Sequence, residues 1–178
     1  MRRADAEALG IHLPVLPTIV LGGLPGDPRW AAELHAIGLD VVCSGAPADT
    51  PETFAAAVAA AGGRPVKAIA GSVEDLVFAG ARLIEYDGGP VPGAYVVDDH
   101  ERAVAVVDGA SPEIEDPNTV ARRVVDAVAD VPPSQLWVTC TPGLHMLPAD
   151  TARAKLRALC ESAFQARMAI AKIQFELE

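Results

Sequence analysis

The sequence predicts an α/β fold in which most strands are parallel. Short apolar runs alternate along the chain with Ala-rich helical segments, and no linker or low-complexity insert interrupts them. That alternation is typical of βα units, whose crossover helices place successive strands in parallel. Apolar residues make up 51% of the chain but aromatic residues only 4%, so the core must be built from Ala, Val, Leu and Ile. This composition suits parallel strands covered by helices.

Seven apolar runs that end in turn residues are predicted as strands. They comprise residues 18–21, 40–43, 66–70, 82–86, 94–98, 103–107 and 136–140. The first run is followed by Gly22-Gly23, and the fourth by Asp87-Gly88-Gly89-Pro90. A turn at Asp99-His100-Glu101 could join the fifth and sixth runs as a hairpin.

Start and stop signals predict five helices, over residues 30–37, 52–61, 73–78, 120–129 and 150–169. Thr50 followed by Pro51 is a favourable N-cap with proline at the first helical position, and Gly38 is a natural residue after a helix end. Asp150 is predicted to cap the last and longest helix. The tail, residues 172–178, alternates with period two, so it fits a docking strand as well as a continuation of that helix.

The length of 178 residues predicts a single domain over residues 1–178. A closed (β/α)8 barrel of the TIM type usually needs about 250 residues and at least about 200. The chain is too short for that, so either the barrel is trimmed or two chains complete it together. We predict a shortened or incomplete TIM-like barrel.

Charge and cysteine content exclude several classes of protein. The net charge of −10 and the pI of about 4.8 disfavour nucleic acid and anionic membranes as partners. Three cysteines without CxxC spacing indicate neither a disulfide framework nor a zinc ribbon. Arg2 and Arg3 are followed by acidic residues instead of an apolar signal region. We therefore expect a cytoplasmic protein.

Five segments follow one another in an order that a known family shares. Residues 136–144 read Leu-Trp-Val-Thr-Cys-Thr-Pro-Gly-Leu, residues 84–90 read Ile-Glu-Tyr-Asp-Gly-Gly-Pro, and residues 38–45 read Gly-Leu-Asp-Val-Val-Cys-Ser-Gly. They resemble the Leu-Trp-Val-Asn-Pro-Asp-Cys-Gly-Leu, Ile-Gln-Ile-Asp-Glu-Pro and Gly-Leu-Asp-Val segments of the catalytic domain of cobalamin-independent methionine synthase. Residues 18–25 and 106–113 resemble its opening strand and its His-Ser-Pro turn.

The resemblance implies that the catalytic groups of the family are largely missing. That family holds a homocysteine thiolate on zinc through a His-x-Cys pair, a Glu and a late Cys. Here Pro142 takes the place of the late Cys, Gly23 that of an opening-strand Ser, and Ala46 that of an early Glu. Of the Asp-Glu-Pro motif only Asp87 is retained, with Gly88 in the Glu position. We therefore expect neither a bound metal nor a cofactor.

Asp87 is the strongest candidate for a contact with a ligand. It follows a predicted strand and faces a glycine-rich turn that would admit a substrate close to the backbone, so we predict a substrate site of Asp87, Gly88 and Gly23. An Asx-turn aspartate that bonds its own loop is the structural alternative.

A zinc site is the alternative expectation for the strand ends. Cys140 and His145, together with Glu85 or Cys43, could form a rearranged set of zinc ligands. Against this, Cys140 also fits a small buried hydrophobic residue at the end of a strand.

The sequence is compatible with three functions. The first is a methionine-synthase-like protein that has lost zinc-dependent methyl transfer and binds a small-molecule ligand or a partner protein. The second is an active methyltransferase that transfers a methyl group to a thiol at the rearranged metal site. The third is a structural or assembly subunit whose incomplete barrel is covered in a homo-oligomer, with Ile173, Phe175 and Leu177 as a candidate contact.

Overall fold

A computed structural model describes residues 14–20, 23–25, 30–46, 49–69, 83–85, 102–128 and 132–176. The strands in these residues are β1 (Lys67–Ile69), β2 (Leu83–Glu85), β3 (Arg102–Val107) and β4 (Leu136–Cys140). The α-helices are α1 (Trp30–Ile37), α2 (Pro51–Ala60), α3 (Pro117–Val128) and α4 (Ala149–Glu176). Two short 3-10 helices, Pro133–Gln135 and Leu144–Met146, flank β4.

Two parallel strand pairs form the regular part of the sheet. β1 runs parallel to β2, with Lys67 opposite Leu83, and β3 runs parallel to β4, with Val104 opposite Val138. The second pair contains an irregularity, since its register shifts between Ala105 and Val107. The prediction of a mixed fold with helices and parallel strands is therefore confirmed.

Two further segments join these pairs. The Thr18 segment (residues 17–20) is bridged in parallel to β4, and the amide of Val41 donates to the Thr18 carbonyl oxygen at 3.1 Å. The Val42 segment (residues 41–43) is bridged in parallel to Val66, immediately before β1. The spatial order is therefore β2, β1, the Val42 segment, the Thr18 segment, β4 and β3.

This spatial order follows the chain and returns to its beginning. Each segment neighbours the next one in sequence, and the last strand, β4, neighbours the first segment at the bridge between Val138 and Thr18. Among the described strands and segments, β2 and β3 are the only sequence neighbours that do not pair with each other. In an open doubly wound sheet the last strand, β4, would instead lie at an edge, away from the Thr18 segment.

Capping interactions determine where α2 and α3 begin. The Thr53 amide donates to the Thr50 hydroxyl oxygen at 3.3 Å, and the Thr50 amide donates to the Thr53 hydroxyl oxygen at 2.8 Å, which confirms the predicted N-cap. Asp116 caps α3, since its carboxylate accepts hydrogen bonds from the amide and the hydroxyl of Thr119. The predicted start of this helix at residue 120 is therefore too late.

The course of α4 decides between the two interpretations of the tail. The chain remains helical through Glu176, so the continuing helix is confirmed and the docking strand is wrong. At the other end, the Ala152 amide donates to the Pro148 carbonyl oxygen at 3.0 Å. Asp150 therefore lies in the first turn, and its predicted role as the cap is wrong.

The strand segments are buried on two faces. Val20, Val42 and Val138 belong to a large apolar cluster that includes Leu156 and Leu159 of α4. These strand residues therefore lie on the face that the helices cover.

The opposite side of the segments is also buried, and we call it the inner face. Ile19, Val41 and Trp137 are only 4%, 1% and 4% exposed, yet they lie outside the apolar cluster. They alternate along the chain with residues that face the helices, and successive side chains of a strand point to opposite sides. Thr139, which is 1% exposed, occupies an inner-face position by the same alternation.

A buried carboxylate links the first two segments to α4 at their amino ends. Asp40 accepts hydrogen bonds from the amide and the hydroxyl of Thr18, at 2.9 and 2.8 Å, and from the guanidinium of Arg167. Arg64 lies 3.9 Å from the other carboxylate oxygen. The side chain of Asp40 is only 11% exposed, so solvent screens the charge interactions of this network less than it would at the surface.

Some predictions fall outside the described residues. The helix over 73–78, the strand over 94–98 and its hairpin turn lie there, as do the ends of the strand over 82–86. No helix in the described part of the chain has the length and apolar character that a membrane crossing requires.

Candidate functional site at the carboxyl ends of the strands

The parallel strands end at a common edge, and polar residues follow three of them. Ser44 follows the Val42 segment, Asp108 follows β3, and Thr141 follows β4. Ligands of parallel α/β proteins bind at the carboxyl ends of the strands, where the loops are free to vary. This carboxyl edge is therefore the candidate functional site.

The loops after β3 and β4 are held against each other. The Thr141 amide donates to the Val107 carbonyl oxygen at 2.9 Å, and the Gly109 amide donates to the Thr141 hydroxyl oxygen at 2.8 Å. A Cβ at Gly109 would lie 2.0 Å from the Thr141 carbonyl oxygen, and one at Gly143 would lie 3.1 Å from the backbone of Ala110. Close backbone contact at this point therefore requires glycine in both loops.

Asp108 presents a fixed carboxylate at the edge. It accepts hydrogen bonds from the Ala110 amide at 3.0 Å and from the Thr141 hydroxyl at 3.2 Å. These bonds, that of the amide foremost, hold the pKa of the Asp108 carboxyl below its usual range. The side chain is exposed, so an ionised carboxylate of defined orientation faces solvent here.

A buried lysine anchors the loop that carries Asp108. The ammonium of Lys155 on α4 contacts both carboxylate oxygens of Glu115, at 3.0 and 2.9 Å, and its side chain is 0% exposed. Glu115 also accepts a hydrogen bond from the Asp108 amide at 2.8 Å. The ion pair therefore fixes the position of Asp108 relative to α4.

The loop after the Val42 segment is ordered by a second buried carboxylate. The Ser44 hydroxyl donates to Asp49 at 2.6 Å, and the Thr53 hydroxyl donates to the same oxygen at 3.1 Å. Ser44 and Asp49 are 1% and 4% exposed. These contacts join the end of the segment to the start of α2, which is a structural role.

A second buried lysine lies on β1. The ammonium of Lys67 donates to the Val20 carbonyl oxygen at 2.5 Å, and the residue is 3% exposed. Sequence reasoning missed Lys67 because a single lysine in an apolar run gives no local signal of its environment. Only the pairing of distant segments places its ammonium beside the end of the first one.

The predicted substrate residues are only partly described. Gly23 is half-buried, next to Leu24, whose amide donates to the Gly45 carbonyl oxygen at 2.9 Å. Asp87 and Gly88 lie outside the described residues. The proposed substrate site therefore stays a prediction.

The alternative metal ligands differ in their environments. Cys140 is 0% exposed, and burial raises the pKa of its thiol to about 11. Cys43 is buried as well, whereas His145 is exposed. For Glu85 only the backbone, in β2, is described. Among the described side chains, no three His, Cys, Asp or Glu residues are arranged to hold a metal ion.

Comparisons with known proteins give a likeness to solved structures but none to a family model. No protein-family model matches the chain, and no curated protein matches it. Among solved structures, the chain is similar to a B12-independent methionine synthase from Shewanella sp. W3-18-1 in complex with selenomethionine, at 18% identity and a TM-score of 0.40. The match covers 88% of this chain but only 64% of that protein. A likeness at this distance does not assign a family.

Proposed function

We propose that this chain is a methionine-synthase-like protein that does not transfer methyl groups by way of zinc and that binds a small ligand at the carboxyl edge of its strands. The proposal starts from the ordered sequence resemblance and from the chemistry of the described residues at the strand ends. It includes a fold, a lost activity and a retained site, each supported by a separate observation.

The order of the strand segments supports an incomplete barrel as the fold. In a (β/α)8 barrel each strand pairs with the next in sequence, and the last pairs with the first. The described segments follow that order, including the return from Val138 to Thr18. The one step of that order without a described pairing, from β2 to β3, spans residues outside the described part of the chain.

The environment of Cys140 is the observation that carries the proposed loss of zinc chemistry. Zinc is held by thiolates and imidazoles, so a cysteine ligand must be deprotonated and must reach the ion. Cys140 is fully buried, and burial raises the pKa of its thiol to about 11, so zinc would have to displace a proton that is held more tightly than in an ordinary cysteine. Pro142, in the position of the family's late Cys, has no side-chain ligand atom. Cys140 and Pro142 therefore do not fit a zinc site.

The carboxyl edge supports the proposed binding of a ligand. The loops after β3 and β4 are fixed by Gly109, Thr141 and the ion pair between Glu115 and Lys155. Rigid loops at the ends of parallel strands orient ligand-binding groups at little cost in entropy. Asp108, which these contacts hold in place, is the described group that we expect at the rim.

Metal analysis of the purified full-length chain tests the loss of zinc chemistry. We expect less than stoichiometric zinc after dialysis of protein produced in zinc-supplemented medium. We also expect no methionine from methyl-folate and homocysteine, because the described strand-end cysteine is a buried thiol.

The variants Cys140→Ala and Cys160→Ala provide the matched comparison. Both remove a thiol with a raised pKa, but only Cys140 lies at a strand end. Stoichiometric zinc that is lost in Cys140→Ala and kept in Cys160→Ala would overturn the proposal and favour an active methyltransferase with a rearranged site.

A further inference from the structure

We propose that a second copy of this chain packs against the outer surface of α3 and α4, and that the protein forms a twofold symmetric dimer in which α4 of one copy runs antiparallel to α3 of the other. The surface offers a groove, an apolar ridge beside it and an order of charges that is complementary to itself. It lies on the helices, so the inference is independent of the ligand proposed for the carboxyl edge.

A groove runs along the surface between α3 and α4. Its floor consists of small and apolar residues, Ala121 and Val125 of α3 and Ala166 and Ala169 of α4. The groove has a volume of about 430 Å³. Helices pack when the ridge of side chains on one enters such a groove beside another, and the alanines leave room for large side chains to do so.

An apolar ridge borders this groove. It consists of Phe164 and Met168, which lie one turn apart on α4 and are each 60% exposed. Each directly precedes a residue that lines the groove, Gln165 or Ala169, and so lies about 100° round the helix from it. Because the ridge and the groove adjoin, each of two copies can insert its ridge into the groove of the other, as a twofold interface requires.

The charges beside the ridge and the groove balance each other. Arg122 and Asp126 line the groove on α3, and Arg157 and Glu161 precede the ridge on α4. All four side chains are exposed, and their formal charges sum to zero. The whole chain carries −10, so two copies repel each other over most of their surface. These four residues do not share that negative excess, which favours contact here.

The order of these charges determines the orientation of the second copy. On each helix an arginine is followed four residues later by a carboxylate, Arg122 by Asp126 and Arg157 by Glu161. An antiparallel approach sets each arginine of one copy opposite a carboxylate of the other, whereas a parallel approach sets like charges opposite each other. One surface thus supplies the ridge, the groove and both members of each charge pair, which identifies the partner as a second copy of this chain.

Sedimentation of the full-length chain from micromolar to near-millimolar concentration tests this inference. We expect twice the mass of the 18.5 kDa chain at the upper end of the range, because association follows mass action. A mass that stays at 18.5 kDa throughout would overturn the inference. A different protein as the natural occupant of the surface would give that same result.

The variants Phe164→Glu and Met146→Glu supply the matched pair. Each replaces an exposed apolar side chain by a charge, but only Phe164 belongs to the ridge. We expect Phe164→Glu to weaken self-association by about tenfold or more, and Met146→Glu to leave it within about twofold of the wild type. Circular dichroism checks that both variants keep the fold. Equal dimer affinities of the two variants would show that the interface lies elsewhere.

A reversal of charge order tests the antiparallel orientation. Arg157→Glu combined with Glu161→Arg keeps the net charge but brings like charges together across the interface, so we expect self-association to weaken by about tenfold or more. Adding Arg122→Glu and Asp126→Arg reverses α3 as well, and should restore the affinity to within about threefold of the wild type. Unchanged affinity after the first reversal, or no recovery after the second, would overturn the inference.

A measurement on the wild-type protein covers the case in which a variant does not fold. Backbone amide shifts that change on dilution should cluster at Ala121, Arg122, Gln165 and Met168. Changes confined to the loops of the carboxyl edge would place the contact there and would contradict the proposed surface. Zinc content and ligand binding are measured separately, so the failure of one proposal leaves the other standing.

Discussion

At single positions of the carboxyl edge, the atoms within a few ångströms determine which residue type the structure accepts. Gly109 approaches the backbone of Thr141 so closely that no side chain fits between them. Gly63, by contrast, needs only a permissive backbone, since its φ is +82° and nothing lies within 4 Å of a Cβ. Two glycines of the same chain are thus required for different physical reasons, one steric and one conformational.

We expect Gly109→Ala to lower the free energy of unfolding by about 3 kcal/mol or more, because overpacking of a tight contact forces the backbone to move. Gly63→Ala is the control, and we expect it to cost about 1 kcal/mol, the penalty of left-handed backbone for alanine. Urea denaturation of both variants measures the difference. Equal costs would show that the loops can separate without penalty.

At the scale of elements, a few polar contacts determine how helices attach to strands. Asp40 and Arg167 link the first two segments to α4, and Arg153 of α4 bonds Glu33 of α1 at 2.6 Å. The Asp40 contacts are largely shielded from solvent, whereas the pair formed by Arg153 with Asp150 is at the surface. Shielded pairs are the ones whose disruption leaves a charge without solvation.

We expect Asp40→Asn to destabilise the protein by about 3 kcal/mol, because it leaves Arg167 beside a neutral group in a poorly hydrated site. Asp150→Asn is the matched control, and its side chain is 99% exposed, so we expect no measurable change. Chemical denaturation of both variants provides the measurement. A cost for Asp40→Asn no larger than that of the control would show that the network does not hold α4 in place.

The sequence predicted those elements whose signals are local. Thr50 and Pro51 marked the start of α2, because the cap and the fixed φ act within one turn. Asp116 carries the same kind of local signal for α3. Lys67 could not be identified as buried from the sequence, because its burial depends on segments that come together only in the folded chain.

The order of the strands is likewise invisible in any local pattern. The apolar runs indicate that strands exist, but their neighbours follow from crossovers and from the bridge between Thr18 and Val138. In the tail a local pattern was present but misleading, since its period of two fitted a strand and α4 nevertheless continues to Glu176. Packing of the preceding helix, which repeats every 3.6 residues, outweighs a short alternation.

For the molecule as a whole, buried thiols tie stability to pH. Burial raises the pKa of Cys140 to about 11 and that of Cys160 to about 12, from an ordinary value of 9.0. In the unfolded chain both thiols ionise at the lower pH. The contribution of the buried thiols is therefore fully present below pH 9 and is lost as the pH rises towards 11 and 12.

We expect the free energy of unfolding to fall as the pH rises from 9 to about 11, and to fall less steeply in Cys140→Ala. Val138→Ala is the control, because it opens a cavity in the same strand without removing a titrating group. Urea midpoints across this pH range provide the measurement. The same slope in wild type and Cys140→Ala would show that this thiol does not contribute.

Assembly with a second subunit stays a prediction. Phe164 and Met168, one turn apart on α4, are each 60% exposed, which is unusual for large apolar side chains. A contact made by these two residues would belong to a helix surface and not to a docking strand.

The bridge between Thr18 and Val138 has a consequence for how the chain must be made. About 120 residues separate these partners, so the ribosome releases the first segment long before β4 exists. Until then one edge of that segment has no neighbour, and distant pairing of this kind is slow to form. The newly made protein therefore completes its sheet last at the bridge between the Thr18 segment and β4, and that interval is when it is most open to mispairing with other chains.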